Sequence, residues 1–240
     1  MALRLSVPRL GSVIASIGLV LAGSAIAVDT ADARSRHRRH HVRHQAYTPP
    51  YAAYVVDANS GKVLHAHNEN ELRHPASVTK VMTLYMLFEQ LERGRIRLDS
   101  EIRISAHAAS MAPSKLGLRP GSTIEVEDAI LALVTKSAND IAAAVAEAIG
   151  GSEERFAEMM TAKAHSLGMT RTHFENASGL PNPDQVTTAR DLSILGRAIQ
   201  ERFPKYYSYF GRHQFAFGGR VMRNHNHLLG RVEEIGRAHV

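Results

Sequence analysis

Residues 77–93 constrain this chain more than any other stretch. Val78, Met82, Leu84, Tyr85, Leu87, Phe88 and Leu91 make a broad apolar face at helical spacing, and Gly94 stands where the helix should end. A face that wide has to be covered by other elements. Residues 54–57 and 62–65 flank Ala58-Asn59-Ser60-Gly61, the pattern of a β-hairpin opening an ordered domain near Tyr51. Residues 127–136 and 140–149 form a second helical pair, interrupted at Ser137-Ala138-Asn139. Ser152 caps a helix running to Leu167, with Gly168 past its end. Thr188-x-x-Asp191 opens a helix to Arg202 that Pro204 stops, and residues 206–217 read as extended. A hairpin, a block of helices and then strands predict an α+β fold with helices packed on one antiparallel sheet.

Composition bounds the function. The 240 residues are 44% hydrophobic and 22% charged, enough for a soluble core in one large or two small domains. The absence of cysteine excludes disulfides, thiolate zinc sites, iron–sulfur clusters and thiol nucleophiles. The net charge of +6 is concentrated at one end. Residues 1–50 hold seven Arg against two Asp, whereas the remainder holds 22 basic and 21 acidic groups. The nearly neutral remainder argues against a nucleic-acid partner.

Arg4 and Arg9 precede an apolar run over residues 11–27 that closes with Ala25-Ile26-Ala27, the pattern of a secretory signal peptide at 1–27. An uncleaved anchor is the rival reading, diluted by several Gly and Ser, and Ala31-Asp32-Ala33 offers a second cleavage site. Residues 28–50, rich in Arg and His, cannot bury a core and read as a solvated linker able to touch anionic lipid or wall polymers. The expectation is export to the periplasm or cell envelope.

Familiar catalytic motifs fail: there is no Gly-x-Ser-x-Gly, His-Glu-x-x-His, phosphate loop or Gly-x-Gly-x-x-Gly. His65-x-His67 and His225-x-His227 lack a third ligand and read as surface histidines, so no metal is implied. Ser77-Val78-Thr79-Lys80 remains. Three residues apart on a helix, Ser77 and Lys80 share a face, and a desolvated lysine can take the proton of a serine nucleophile. Burial lowers the lysine pKa toward working pH. Alone the pair is a weak signal, and a capped helix carrying an exposed lysine is the reading it favours. Ser137-Ala138-Asn139 strengthens it. At a break between helices, a hydroxyl at 137 and an amide at 139 can face one cleft, the first relaying a proton and the second orienting lysine or substrate.

These motifs resemble those of the low-molecular-mass penicillin-binding proteins, the serine-type D-alanyl-D-alanine carboxypeptidases: Ser-x-x-Lys, then Ser-x-Asn 60 residues later. The family's other blocks resemble residues 53–64, 74–83, 136–142, 174–181 and 224–229, in order, so the likeness covers residues 51–230. It implies a penicillin-binding/β-lactamase-like transpeptidase fold with a helical subdomain. It implies Ser77 as acylated nucleophile, Lys80 as its base, Ser137 as proton relay and Asn139 as substrate-positioning group. Peptidoglycan stem peptides would be the substrate, β-lactams covalent inhibitors, and the membrane surface a further association; no cofactor is implied.

The family's third motif, Lys-Thr-Gly, which would hold the substrate carboxylate and complete the oxyanion hole, is absent from the chain. The catalytic domain over 51–233 is therefore expected to be partial. A D,D-endopeptidase uses the same residues, a class A β-lactamase needs a Glu-x-x-Leu-Asn not found here, and a non-catalytic wall-binding fragment is the remaining alternative. Residues 234–240 are what GAGATCGGAAGAGCACACGTC encodes, a string resembling a sequencing adapter, and are expected to be a non-native tail. Sequencing the genomic locus should show the reading frame departing from this chain near Glu233; a genomic stop directly after Val240 would refute it.

Overall fold

The computed structural model describes residues 50–231. The expected signal peptide, nearly all of the basic linker and the tail at 234–240 lie outside these residues. The architecture is α+β. Helix α1 (Thr79–Glu92) forms the centre, preceded by a 3-10 turn at Ala76–Val78. The sequence suggests one broad apolar face, but α1 is buried on almost every side, from Met82 through Leu91. Helices α4 (Asn139–Gly150), α5 (Glu153–Ser166) and α6 (Ala189–Arg202) pack against it. In α4, Ala142, Ala143, Ala144 and Ala146 are all buried, and their small side chains let neighbouring backbones approach closely.

Local chemistry sets the helix ends. Ser105 caps the short α2 (Ala106–Ser110) by accepting from the Ala108 amide. Ser152 accepts from the Arg155 amide at the start of α5, and Gly168 follows its end at φ 93°. Thr188 accepts from the Asp191 amide at the start of α6.

Among the described residues, six strands form three two-stranded antiparallel ribbons where the sequence suggests one sheet: β1 (Ala53–Val56) with β2 (Val63–His67), β3 (Glu101–Arg103) with β4 (Thr123–Glu125), and β5 (Gln214–Phe217) with β6 (Arg220–Arg223). Each ribbon lies on a different helical element. β1 packs on α6, β3 on α4, and β5–β6 on a π-helical turn at Ala132–Lys136, which extends α3 (Val126–Leu131). Separated by helices, the ribbons share no edge. In the first hairpin the expected turn is present, with Asp57 accepting from both the amide and the hydroxyl of Ser60 and Gly61 at φ 71°.

Residues 206–217 are only partly extended. Pro204 begins α7 (Pro204–Tyr207), and a 3-10 turn follows at Ser208–Gly211 before β5. Proline's fixed φ suits the first position of a helix, and aromatic packing holds the segment in place. Tyr206 stacks on Phe88 with ring centres 5.1 Å apart, and Phe203 meets Tyr85 edge-on at 4.9 Å.

The α4–α5 junction tests this packing. A Cβ at Gly150 would lie 2.8 Å from the Phe156 backbone nitrogen, and Phe156 is fully buried. Gly150→Ala should therefore destabilise the fold by about 1–3 kcal/mol, read as a lower urea midpoint.

Candidate active site

Ser77 stands in the 3-10 turn ahead of α1 and is exposed, while Lys80, in the first turn of the helix, is 3% exposed. The two share a face: Lys80 Nζ lies 3.5 Å from Ser77 Oγ. The amine donates more closely, at 2.5 Å, to the backbone carbonyl of Ser178. Burial lowers the Lys80 pKa to about 8. The arrangement is an accessible hydroxyl over a shielded amine that sheds its proton far more readily than an ordinary lysine.

The turn carrying Ser77 is set by close contact with a distant loop. Ala76 has φ 46°, left-handed and unusual for a residue with a Cβ. Its carbonyl lies against Gly179, where a Cβ would fall 1.8 Å from the Ala76 oxygen. Only glycine fits there, and Gly179 itself is at φ 83°. Beside this seam a cavity of about 400 Å³ is lined by His74, Ala76, Leu180, Pro181, Pro183 and Gln185.

Ser137 and Asn139 sit at the second break in the helices. The π-helical turn at Ala132–Lys136 ends at Ser137 with φ 55° and ψ 42°, and α4 starts at Asn139. A left-handed serine costs of order 1–3 kcal/mol, held in place only by its surroundings. Those surroundings include residues 112–117, which run between α2 and β4. The Asn139 amide donates to Ser114 O at 2.6 Å and its side chain to Ala112 O at 2.9 Å. Ser114 Oγ donates to Lys136 O at 2.9 Å, and the buried Asp140 carboxylate accepts from the amides of Leu116 and Gly117. Ser137 Oγ is shielded and finds no partner among the described residues. An unpaired buried hydroxyl and a strained backbone are both features that cluster at functional sites.

The structure thus brings Ser77 and Lys80 together as the motif suggests. Ser137 and Asn139 begin the helix that packs on α1, and among the described residues no hydrogen bond joins them to the first pair. The sequence reading gave no role to Ser178, Gly179 or Asp140. The one clue was glycine after Asn-x-Ser in residues 176–179, since that pattern favours a side-chain turn, and Asn176 Oδ1 does accept from Gly179 N at 2.7 Å. His65 and His67 are exposed on β2, and no group of three His, Asp or Glu among the described residues is arranged to hold a metal ion.

The family model described as D-alanyl-D-alanine carboxypeptidase matches residues 40–235. This chain belongs to that family. Among its relatives, the D-alanyl-D-alanine carboxypeptidase DacF of Bacillus subtilis is 38% identical over 148 residues, covering 62% of this chain and 38% of DacF. Penicillin-binding protein 5 of Haemophilus influenzae superposes with a TM-score of 0.72 at 31% identity, over 77% of this chain and 56% of that one. Penicillin-binding protein D2 of Listeria monocytogenes, solved in an ampicillin-bound form, gives a TM-score of 0.64 at 25% identity, over 78% of each chain. These likenesses establish the penicillin-binding type of α+β fold for the family member described here. The chain spans about half the length of the curated relatives it matches.

Titration of Lys80 provides the direct check on this arrangement. With a pKa of about 8, the amine is mostly charged below that pH and mostly neutral above it. The ¹³Cε signal of labelled lysine, assigned with Lys80→Arg, should titrate near pH 8 for Lys80, well below the ordinary lysine value of about 10.4.

Proposed function

We propose that this chain carries the acylating machinery of a serine-type D-alanyl-D-alanine carboxypeptidase that removes the terminal D-Ala from peptidoglycan stem peptides. The observation that carries the reading is the exposed Ser77 hydroxyl 3.5 Å from a buried amine of lowered pKa, in a member of this family.

In this reading neutral Lys80 takes the proton as Ser77 Oγ attacks the carbonyl of the penultimate D-Ala. The scissile C–N bond breaks, the terminal D-Ala leaves with a proton relayed through the Ser137 hydroxyl, and an ester remains on Ser77. Water then hydrolyses the ester, with Lys80 again as base. Dividing one amide cleavage into two easier steps is what the covalent intermediate accomplishes. Asn139 shapes the groove: its side-chain N–H₂ donates to the Ala112 carbonyl, which ties the loop between α2 and β4 to the start of α4 beside Ser137.

β-Lactams fit the same chemistry, because their strained amide presents a carbonyl to the serine and the opened ring stays attached. Ampicillin in the Listeria protein supports that extension. The leader pattern at residues 1–27 supports an exported, envelope location, where both peptidoglycan and a membrane surface are at hand. Lys-Thr-Gly, the family's carboxylate-holding motif, is absent from this chain.

The test is covalent labelling by a fluorescent penicillin. The chain should take up label, faster as pH rises through about 8 as Lys80 loses its proton. Ser77→Ala should abolish labelling and Lys80→Ala should reduce it by at least about 10²-fold. Undiminished labelling of Ser77→Ala, or no labelling of the unsubstituted chain, would overturn the proposal.

A further inference from the structure

We infer that Glu153 is a positioning residue for the Lys80 amine, acting through the Ala177–Ser178 backbone, with His107 fixing its carboxylate from the surface. The inference rests on the reading of Ser77 and Lys80 given above and concerns groups which that reading leaves out.

The closest partner of the Lys80 amine is the Ser178 carbonyl, which belongs to neither helix nor strand. Side chains from two helices hold the peptide unit just before it. From α1, one turn beyond Lys80, Thr83 Oγ1 donates to the Ala177 carbonyl at 2.7 Å. From α5, Glu153 Oε1 accepts from the Ala177 amide at 3.0 Å. Asn176 Oδ1 accepts from the amides of Ser178 and Gly179, completing the loop. Both backbone groups of Ala177 are thus taken by buried side chains, and the direction of the next carbonyl follows from them.

Glu153 is 7% exposed, and a carboxylate so placed needs strong partners to stay charged. His107 Nε2 lies 2.7 Å from Glu153 Oε2, and that bond raises the imidazole pKa. Glu147 and Glu154 also face the imidazole and act in the same direction. A glutamate in the first turn of a helix often serves only the helix dipole. Here both oxygens point away to other elements, one to the loop beneath Lys80 and one to α2. Charge-assisted hydrogen bonds are roughly twice as strong as neutral ones, so Glu153 is the firmest anchor of the loop. Without it the Ser178 carbonyl shifts, water reaches the amine, and Lys80 holds its proton more tightly.

The experiment compares Glu153→Ala, Glu153→Gln and Thr83→Val in the full chain, each checked for folding by circular dichroism. The readouts are the ¹³Cε titration of Lys80, assigned with Lys80→Arg, and the pH profile of labelling by fluorescent penicillin. Glu153→Ala should raise the Lys80 midpoint by a pH unit or more, lowering its neutral fraction at pH 7 by about tenfold, with labelling falling in proportion. Glu153→Gln keeps an oxygen for the Ala177 amide and should restore labelling to within about threefold of the unsubstituted chain. Thr83→Val loosens the same peptide from the other side, should move the midpoint in the same direction, and serves if Glu153→Ala does not fold. An unmoved Lys80 midpoint in a folded Glu153→Ala or Thr83→Val variant overturns the inference. The titration reads Lys80 whether or not Ser77 reacts, so failed labelling of the unsubstituted chain counts against the proposed function alone.

Discussion

The desolvated amine of Lys80 is the constraint around which the rest of the molecule is arranged. Burying an ammonium is unfavourable, and the fold answers by lowering its proton affinity and supplying one close acceptor, the Ser178 carbonyl. Such a group stays in place only if the helix beneath it cannot move. Helix α1 meets that condition: it is buried on nearly all sides, and its far end is held by the buried Glu89. That carboxylate pairs with Lys163 of α5 at 2.9 Å and Arg202 of α6 at 3.4 Å. Three helices are thereby tied at one end while Ser77 and Lys80 sit at the other.

The two motifs reach their places by opposite means. Ser77, in the 3-10 turn, and Lys80, in the first turn of α1, meet three residues apart in one continuous winding of the chain. Ser137 and Asn139 are placed by irregularity, a π-helical turn ending in a left-handed serine. That strain is borne by hydrogen bonds that Lys136 and Asp140 accept from residues 114–117 and that Asn139 donates to residues 112 and 114. In each case a loop remote in sequence locks the geometry. Gly179 does so against Ala76 at one motif, and Ser114 does so at the other.

Much of this was readable from the chain, for identifiable reasons. The first hairpin, the caps at Ser152 and Thr188 and the stop at Gly168 depend on contacts within a few residues, so local patterns reveal them. The same holds for the Ser77–Lys80 pair. Residues 206–211 were misread as extended because their helical turns depend on Tyr206 and Phe203 finding rings on α1, far away in sequence. Division of the strands into three ribbons was equally hidden, since it depends on which helix each ribbon covers.

What the sequence determined by itself is the inventory and its local geometry: a serine and a lysine three residues apart on one winding of the chain, a second motif at a helix break, capped helices and a family. What only the tertiary structure decided is the state of those groups. The acceptor for Lys80 is a backbone carbonyl 98 residues away, and a carbonyl has no side-chain signature to betray it. Lys80's lowered proton affinity, Ser137's strain and Glu153's hold on the loop arise from burial and from contacts between distant segments. Those quantities exist only once the chain has closed on itself.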